Sequence, residues 1–286
     1  MTNNPILSGA VGRDINSPVW TRDTAVYAEL DSWTDPGERL VVHSIADQVR
    51  GRPLLDVGVG AGRSAWLVGL LSEDYVAVDY TPEMVELAHR NLPNKRIQLA
   101  DARSLVDFQD NHFALVFFSH AGLDSLDHEG RNQALREFFR VLQPGGFLVY
   151  STLNRNGTFY KCGPGPVGKG GHRPGPYQTA RFVARLAQRP IEHLHGFANV
   201  RRLRPRFEDH GSWAIDTMPT HEWDLVVHYV TSIEARREVV DNGFEFIRAV
   251  ARQGETIDID HAETSTPWFH VVARKPMSGA LTRHLE

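Results

Sequence analysis

The sequence is poor in cysteine and has no long apolar run. Cys162 is the single cysteine among 286 residues, so an intramolecular disulfide is impossible and a reducing, cytoplasmic location is expected. No segment reaches the roughly 18 consecutive apolar residues of a membrane-spanning helix. Residues 1–20 lack the basic and apolar regions of a secretory signal. The composition, with 41% hydrophobic and 23% charged residues, is that of a soluble globular protein.

Metal-ligand and P-loop motifs are missing as well. The 14 histidines form neither an H-E-x-x-H pattern nor a Cys/His cluster, and His193 and His195 stand two apart in a predicted loop. We therefore predict no metal site. No Gly-Lys-Ser/Thr follows a glycine loop, which disfavours a P-loop nucleotide site.

Charge is distributed unevenly along the chain, whose net charge is −4. Residues 155–206 contain eleven Lys/Arg and one acid, Glu192, so this segment carries +10 and the remainder carries −14. Such a basic segment indicates either an anionic ligand or a solvated face paired with the acidic body.

Strand-like and helix-like segments alternate from residue 53 onward, which predicts right-handed crossovers. Strands are predicted at Pro53–Val57, Tyr75–Asp79, Arg96–Ala100, Phe113–Ser119, Phe147–Thr152, Trp223–Tyr229, Phe244–Val250 and Trp268–Ala273. Helices are predicted at Ser64–Leu71, Pro82–Asn91, Asn132–Leu142, Ala180–Ala187 and Ser232–Asn242. We predict an α/β fold with a doubly wound, mostly parallel seven-stranded sheet, helices on both faces, an N-terminal helical lid and an insert after the fifth strand.

A glycine-rich turn follows the first predicted strand. Asp56 ends the strand, and Gly58, Gly60 and Gly62 occupy alternate positions after it, so a ligand can approach bare backbone. At this edge of an open α/β sheet, the Asp56 carboxylate can accept from an ammonium group. The alternatives are a nucleotide loop and a turn without a ligand. A NAD-binding loop is disfavoured because Arg63 stands where that motif has Gly or Ala.

Further polar residues end the neighbouring predicted strands. Asp79 ends the second strand, where an acid can hold both hydroxyls of a ribose. Asp101 ends the third strand and is placed to accept from an adenine amino group. Ser119 ends the fourth strand at the same edge of the sheet.

These segments together resemble the class I S-adenosylmethionine (SAM)-dependent methyltransferases. The glycine loop is similar to their E/D-x-G-x-G-x-G motif, Asp79–Met84 to their acid-x-S/T-x-x-M segment, and Arg140–Gly146 to their L-k-P-G-G turn. The resemblance covers residues 53–153 well and 228–273 weakly. It implies that SAM is the cofactor and that the cofactor-binding residues are Asp56, Gly58, Gly60, Gly62, Asp79, Tyr80, Met84, Asp101, Ala102 and Ser119.

The resemblance also implies individual roles. The three glycines would back the methionine part of SAM, Asp79 would bind the ribose, and Asp101 would take the adenine amino group. Tyr80 and Met84 would sandwich the adenine, with core packing as the alternative for Met84. Ser119-His120-Ala121-Gly122 stands where methyltransferases of adenine or glutamine amino groups have Asn/Asp-Pro-Pro-Tyr/Phe, so that subclass is disfavoured.

His120 is the candidate catalytic residue, because it follows the strand that faces the methyl group in this fold and an imidazole suits a proton acceptor. Its alternative role is contact with SAM or packing under the lid. Candidate substrate-binding residues are Tyr27, Trp33, Asp124, Tyr160 and Arg204. Core packing for the aromatic residues, a helix cap for Asp124 and a solvated face for Arg204 are the structural alternatives.

We divide the chain into an N-terminal helical cap or lid (1–50), a SAM-binding core (51–154), a basic Gly/Pro-rich substrate insert (155–220), the C-terminal part of the core (221–276) and a tail (277–286). The expected function is methyl transfer from SAM to N or O of a small, possibly anionic, metabolite by a monomer or homodimer. Nucleic-acid and membrane partners are disfavoured. An RNA methyltransferase that uses the basic insert and a non-catalytic SAM-binding protein remain alternatives.

Overall fold

The structure is a computed structural model that describes residues 15–24, 33–165, 175–176, 179, 182–184, 186, 189–260 and 264–277. Its strands are β1 (Leu54–Val57), β2 (Tyr75–Asp79), β3 (Arg96–Leu99), β4 (Phe113–Phe118), β5 (Leu142–Asn154), β6 (Glu208–Asp209), β7 (Trp213–Thr217), β8 (Val226–Val230), β9 (Glu245–Ala251) and β10 (Trp268–Arg274). Its helices are α1 (Ser17–Arg22), α2 (Pro36–Val49), α3 (Pro82–Asn91), α4 (His128–Val141), α5 (Pro190–Leu203) and α6 (Ser232–Asp241).

The sheet confirms the predicted α/β fold. Strands β3, β2, β1, β4 and β5 lie side by side and run parallel. β10 pairs antiparallel with both β5 and β9. Neighbouring residues such as Leu54 and Leu55 belong to different apolar clusters, because successive side chains of a strand point to opposite faces. The sheet is therefore covered on both faces, and the carboxyl ends of its parallel strands meet at one edge.

The sheet is larger than the predicted seven strands. β5 extends through Asn154, and its last residues pair with β8 through Leu153–Tyr229 and Asn154–Val230. β8 then pairs antiparallel with β7, and β7 with β6. This three-stranded extension continues the sheet beyond the carboxyl end of β5 and supplies one wall of the functional site described below.

Two local predictions differ from the structure. The segment Ser64–Leu71 forms a 3-10 turn at Arg63–Trp66 followed by further turns rather than an α-helix, because a short segment that contains Gly69 gains too little from helix formation. The Pro144-Gly145-Gly146 turn lies inside β5. There the Gly145 N–H donates to the carbonyl of Lys275, whose own N–H donates to Gly146, so the turn joins β5 to the end of β10.

Several predictions fall outside the described residues. They concern Tyr27, most of the Gly/Pro-rich segment 163–176, half of the helix predicted at Ala180–Ala187 and nearly all of the tail. Within the described ranges, every helix is too short or too polar to cross a lipid bilayer.

Candidate active site

Two adjoining compartments open at the carboxyl edge of the sheet. The first, the loop cleft, has a volume of about 1020 Å³ and is lined by the glycine loop and by residues that follow β2, β3 and β4. Its walls include Gly58, Gly60, Asp79, Tyr80, Met84, Asp101, Ala102, Ser119 and His120. The cofactor residues named from the sequence therefore converge on one cleft, with Asp56 and Gly62 as the exceptions.

The three glycines of the loop face different surroundings. A Cβ on Gly58 would lie 2.5 Å from the ring of Phe118, and a Cβ on Gly62 would lie 2.6 Å from Leu92. A Cβ on Gly60 would meet nothing within 4 Å. All three have positive φ angles. Gly58 and Gly62 thus permit close packing of the loop, whereas Gly60 presents bare backbone to open space.

The Asp79 carboxylate accepts hydrogen bonds from the glycine loop and from the segment after β2. One oxygen accepts from the Gly60 N–H at 2.9 Å, and the other accepts from the Thr81 N–H at 2.9 Å. Burial raises the pKa of Asp79, while these backbone hydrogen bonds oppose the rise. Tyr80 and Met84, which follow directly, also line the cleft. The end of β2 therefore presents an acid beside two side chains that suit a flat ring.

Asp101 lies across the cleft from the loop and is paired with Arg103, whose guanidinium nitrogen approaches the carboxylate at 2.6 Å. Both residues line the cleft. A ligand amino group at Asp101 would therefore share this carboxylate with the arginine.

Asp56 does not line the cleft, contrary to its expected contact with a ligand ammonium group. It is buried beneath the loop, and the Tyr75 hydroxyl donates to its Oδ2 at 2.6 Å. Burial raises the pKa of Asp56 to about 6, while hydrogen bonds from Ser64 and Tyr75 oppose the rise. Its position indicates a role in holding the loop rather than in touching a ligand.

A buried ion pair that the sequence did not indicate joins helix α2 to the glycine loop. The Arg63 guanidinium donates to both carboxylate oxygens of Glu38 at 2.8 Å and to the carbonyl of Trp33 at 2.8 Å. The Ser119 hydroxyl donates to Glu38 and accepts from Arg63. No local motif signals this contact, because Glu38 and Arg63 lie on separate elements.

His120 stands where the two compartments meet and lines both. His120 and Ala121 both have φ angles of 59°, an uncommon conformation for residues with a side chain. The residue as a whole is exposed. Desolvation of the imidazole lowers the pKa of His120 to about 4, and the Arg63 guanidinium lowers it further. His120 is therefore uncharged at neutral pH.

The second compartment, the acceptor pocket, has a volume of about 1900 Å³. It lies between α1, the end of β5, the start of α5 and the 3-10 turn His221–Trp223. Apolar walls come from Leu153, Phe159, Met218, Leu225, Val227 and Trp268, and charged walls from Arg22, Asp23, Arg189, Glu192 and Glu222. The sequence had not indicated Asp23 or His221 as site residues, because they come from opposite ends of the chain.

Of the candidate substrate residues that are described, one packs beside the junction of the compartments and the others lie outside both compartments. Trp33 packs against His120, with ring centroids 5.9 Å apart. The Tyr160 hydroxyl instead donates to Asp209 on the exposed side of β6. Arg204 is exposed and lines neither compartment, and Tyr27 lies outside the described residues.

Asp124 is not supported as a substrate ligand. It is fully buried, and its carboxylate accepts from Arg131 at 2.6 Å, from the Thr152 hydroxyl at 2.6 Å and from the Leu153 N–H at 2.7 Å. Arg131 is also fully buried and binds Glu238. Asp124 therefore belongs to an internal charged cluster that joins α4, β5 and α6.

His128, His228 and Glu238 bring three potential metal-ligating atoms within 4.8 Å of one another. Arg131 already holds the Glu238 carboxylate at 2.9 Å, and the facing nitrogens of the two imidazoles lie 3.3 Å apart. Burial, with Arg131 nearby, lowers the pKa of His228. A buried arginine on the carboxylate opposes a divalent cation. The absence of a metal stays a prediction, which elemental analysis of the purified protein tests.

Comparison with known proteins shows that the chain resembles methyltransferases. Residues 55–150 match a family model described as a methyltransferase domain. The demethylmenaquinone methyltransferase of Renibacterium salmoninarum is 33% identical over 134 residues, which cover 47% of this chain and 53% of that protein. The chain thus spans about half the length of that relative. The glycine/sarcosine N-methyltransferase of Parasynechococcus marenigrum is 28% identical over 222 residues, which cover 65% of this chain and 78% of that protein.

A solved structure extends the likeness of fold along most of the chain. An S-adenosylmethionine-dependent methyltransferase from Clostridium acetobutylicum has a TM-score of 0.56 and 9% sequence identity, and the match covers 91% of this chain and 98% of that one. At this identity the likeness is one of fold alone.

Proposed function

We propose that this chain, whose residues 55–150 match a methyltransferase domain, is a class I SAM-dependent methyltransferase that transfers the methyl group of SAM to a nitrogen or oxygen atom of a small metabolite. The loop cleft would hold SAM, and the acceptor pocket would hold the metabolite. His120 would contact the reacting groups where the two compartments meet.

The pairing of Gly60 with Asp79 carries the proposal. The Gly60 N–H donates to Asp79 at 2.9 Å, and space beyond Gly60 is open. An acid at the end of the second strand of such a sheet suits ribose hydroxyls. Gly58 and Gly60 would hold the methionine part, Asp79 the ribose, and Tyr80, Met84 and Asp101 the adenine. Bound SAM supplies an electrophilic methyl group.

The chain itself would order the reactants and exclude water. Holding a nucleophile close to and in line with its target contributes roughly 7–11 kcal/mol to catalysis. His120 is uncharged at neutral pH and can accept a hydrogen bond from the acceptor group without bringing positive charge near SAM. Its lowered pKa makes it a poor proton acceptor, so the proton requires another group.

The acceptor pocket favours a metabolite with an apolar body and a polar reacting group. Among the described residues that line it, the arginines Arg22 and Arg189 are paired with Asp224 and Glu192. An anionic group on the metabolite is accordingly less supported than the basic segment indicated. Arg204 and Arg206 are exposed and line neither compartment, and they supply the surface for the alternative RNA substrate.

Calorimetry with SAM and S-adenosylhomocysteine, followed by incubation with methyl-labelled SAM, tests this function. We expect binding of both nucleosides and transfer of label to a low-molecular-weight fraction of cell extract. Glycine and sarcosine serve as defined acceptors, because one relative is named for them. Label that enters RNA would favour the RNA alternative, and binding without any transfer would favour a non-catalytic protein. Folded protein that takes up neither nucleoside would disprove the proposal.

A further inference from the structure

His221 and Asp23 come from distant parts of the chain and meet in the acceptor pocket. Nδ1 of His221 lies 2.5 Å from Oδ2 of Asp23, and the two side chains are only 10% and 17% exposed. Trp20 packs edge-on against the His221 ring, with centroids 5.7 Å apart, and it lines both compartments. The pair therefore stands beside the junction of the two compartments.

The backbone at His221 is strained and firmly held. His221, Glu222 and Trp223 have φ angles of 51°, 54° and 58°, and each such residue costs roughly 1–2 kcal/mol. The Trp223 indole N–H donates to the carbonyl of Cys162 at 2.6 Å, and the Asn199 amide donates to that of Glu222 at 3.0 Å. Strained backbone of this kind is concentrated at functional sites. Here the strained conformation places His221 beside Asp23.

The charges around the pair favour an ionised Asp23. Its hydrogen bond with Arg22 lowers the pKa of Asp23, burial opposes this, and the His221 contact lowers the pKa further. Arg22 also binds Asp224, which in turn binds Arg202 of α5. The other charged or titratable groups that face the pocket are His120, Arg189, Glu192, His195 and Glu222.

An ionised carboxylate at Nδ1 determines the state of the imidazole. It holds the proton on Nδ1 and fixes the ring orientation, so that Nε2, the nitrogen on the far side of the ring, is the acceptor nitrogen of this tautomer. Desolvation lowers the pKa of His120 to about 4. Of these two histidines beside the junction, we select His221 because a carboxylate orients its ring.

We propose that His221, oriented by Asp23, is the general base of the methyl transfer, an inference that rests on the proposed function. The acceptor's lone pair forms the bond to the methyl carbon, and the carbon–sulfur bond breaks with its electron pair kept by sulfur. The proton of the acceptor N–H or O–H passes to Nε2 of His221. The substrate class is therefore an amine or hydroxyl compound that still carries its proton when it enters the pocket.

Nuclear magnetic resonance of the full chain with ¹⁵N-labelled histidine tests the pair without any substrate. The His221→Asn variant identifies the His221 signals by their loss. We expect the wild-type ring to carry its proton on Nδ1 and to lose this preference in Asp23→Asn, because the carboxylate that accepts from Nδ1 is gone. A wild-type proton on Nε2, or a proton position that Asp23→Asn leaves unchanged, would overturn the proposal.

Label transfer from methyl-labelled SAM to the active extract fraction tests the catalytic role. Asparagine tolerates the positive φ angle at position 221 and keeps a donor for Asp23, so His221→Asn isolates the loss of Nε2. We expect the initial rate to fall by roughly 100- to 10,000-fold, while SAM affinity and melting temperature stay near those of wild type. The control is His43→Asn on the exposed side of α2, which should keep the wild-type rate.

The two proposals fail separately. A His221→Asn variant that retains a rate within about threefold of wild type would overturn the base assignment alone, since the enzyme would still transfer label. Wild-type protein that binds no SAM would overturn the proposed function, and the base assignment with it.

Discussion

The guanidinium group of Arg63 donates hydrogen bonds to both carboxylate oxygens of Glu38, each at 2.8 Å, in the interior of the protein. Arg63 follows the glycine loop, and Glu38 lies in the first turn of α2. The Ser119 hydroxyl at the end of β4 contacts both residues. A single set of polar contacts therefore positions the glycine loop, helix α2 and the end of strand β4.

Glu38→Gln should lower the free energy of unfolding by about 3 kcal/mol or more, because it leaves a buried arginine without its counter-charge. Urea denaturation measures the change. Glu129→Gln, which removes the partner of Arg136 in an exposed pair, is the control and should cost less than about 1 kcal/mol.

The same pair predicts a pH dependence. Burial tends to raise the pKa of Glu38, but the Arg63 hydrogen bonds outweigh it, and the net pKa is below its usual value of 4.5. The stabilisation from Glu38 is therefore fully present above about pH 4.5 and is lost as the pH falls through the lower, folded-state pKa. The stability difference between wild type and Glu38→Gln should narrow there, and a difference that widens with acid would contradict this assignment.

Gly60→Ala and Gly62→Ala should separate ligand approach from loop packing. Gly60→Ala places a methyl group in open space and should weaken SAM binding at least about tenfold, with a stability loss near 1 kcal/mol from the positive φ angle. Gly62→Ala drives a methyl group into Leu92 and should cost about 2 kcal/mol or more. Calorimetry and thermal melts of both variants provide the comparison, and unaltered SAM affinity in Gly60→Ala would exclude a ligand at this position.

Asp79→Ala should weaken SAM binding by about 10- to 100-fold, because hydrogen bonds to a charged group contribute about 1.5–3 kcal/mol each. The exposed Asp107 supplies the matched control, and Asp107→Ala should bind SAM as wild type does. Circular dichroism of both variants checks that the loss is not due to unfolding. Equal affinities for Asp79→Ala and wild type would remove the ribose role.

Arg131→Met and Arg136→Met change the same residue type on the same helix α4. Arg131→Met leaves Asp124 and Glu238 buried without their partner and should lower the free energy of unfolding by about 3–5 kcal/mol. Arg136→Met removes a surface pair and should cost less than about 1 kcal/mol. Similar losses in the two variants would show that the internal cluster is not a stabilising unit.

His120→Ala should reduce the rate of label transfer far more than it reduces SAM affinity. His120 lies at the junction of the compartments, where it would contact the reacting groups, whereas the proposed cofactor contacts come from other residues. Rate assays and calorimetry on the same preparation measure the two effects. Equal losses in rate and affinity would make His120 a SAM-binding residue only.

The sequence alone determined the loop cleft. Hydrophobic periodicity locates β1, β2 and β4, and the carboxyl ends of parallel strands share one edge of the sheet. Glycines and acids that follow those strands, such as Gly60, Asp79 and Asp101, therefore converge on one cleft wherever the remainder of the chain lies. Local sequence is sufficient there, because each residue is positioned by the strand that precedes it.

Only the tertiary structure decided what surrounds that cleft. The contact of Asp23 with His221, the pairing of Glu38 with Arg63 and the burial of Asp124 all depend on segments that meet after folding. The strands β6 and β7, which extend the sheet beyond β8, were likewise absent from the predicted strands. Spacing along a chain carries no record of such contacts, because packing of the whole core sets which distant side chains share a low-dielectric interior and pair there.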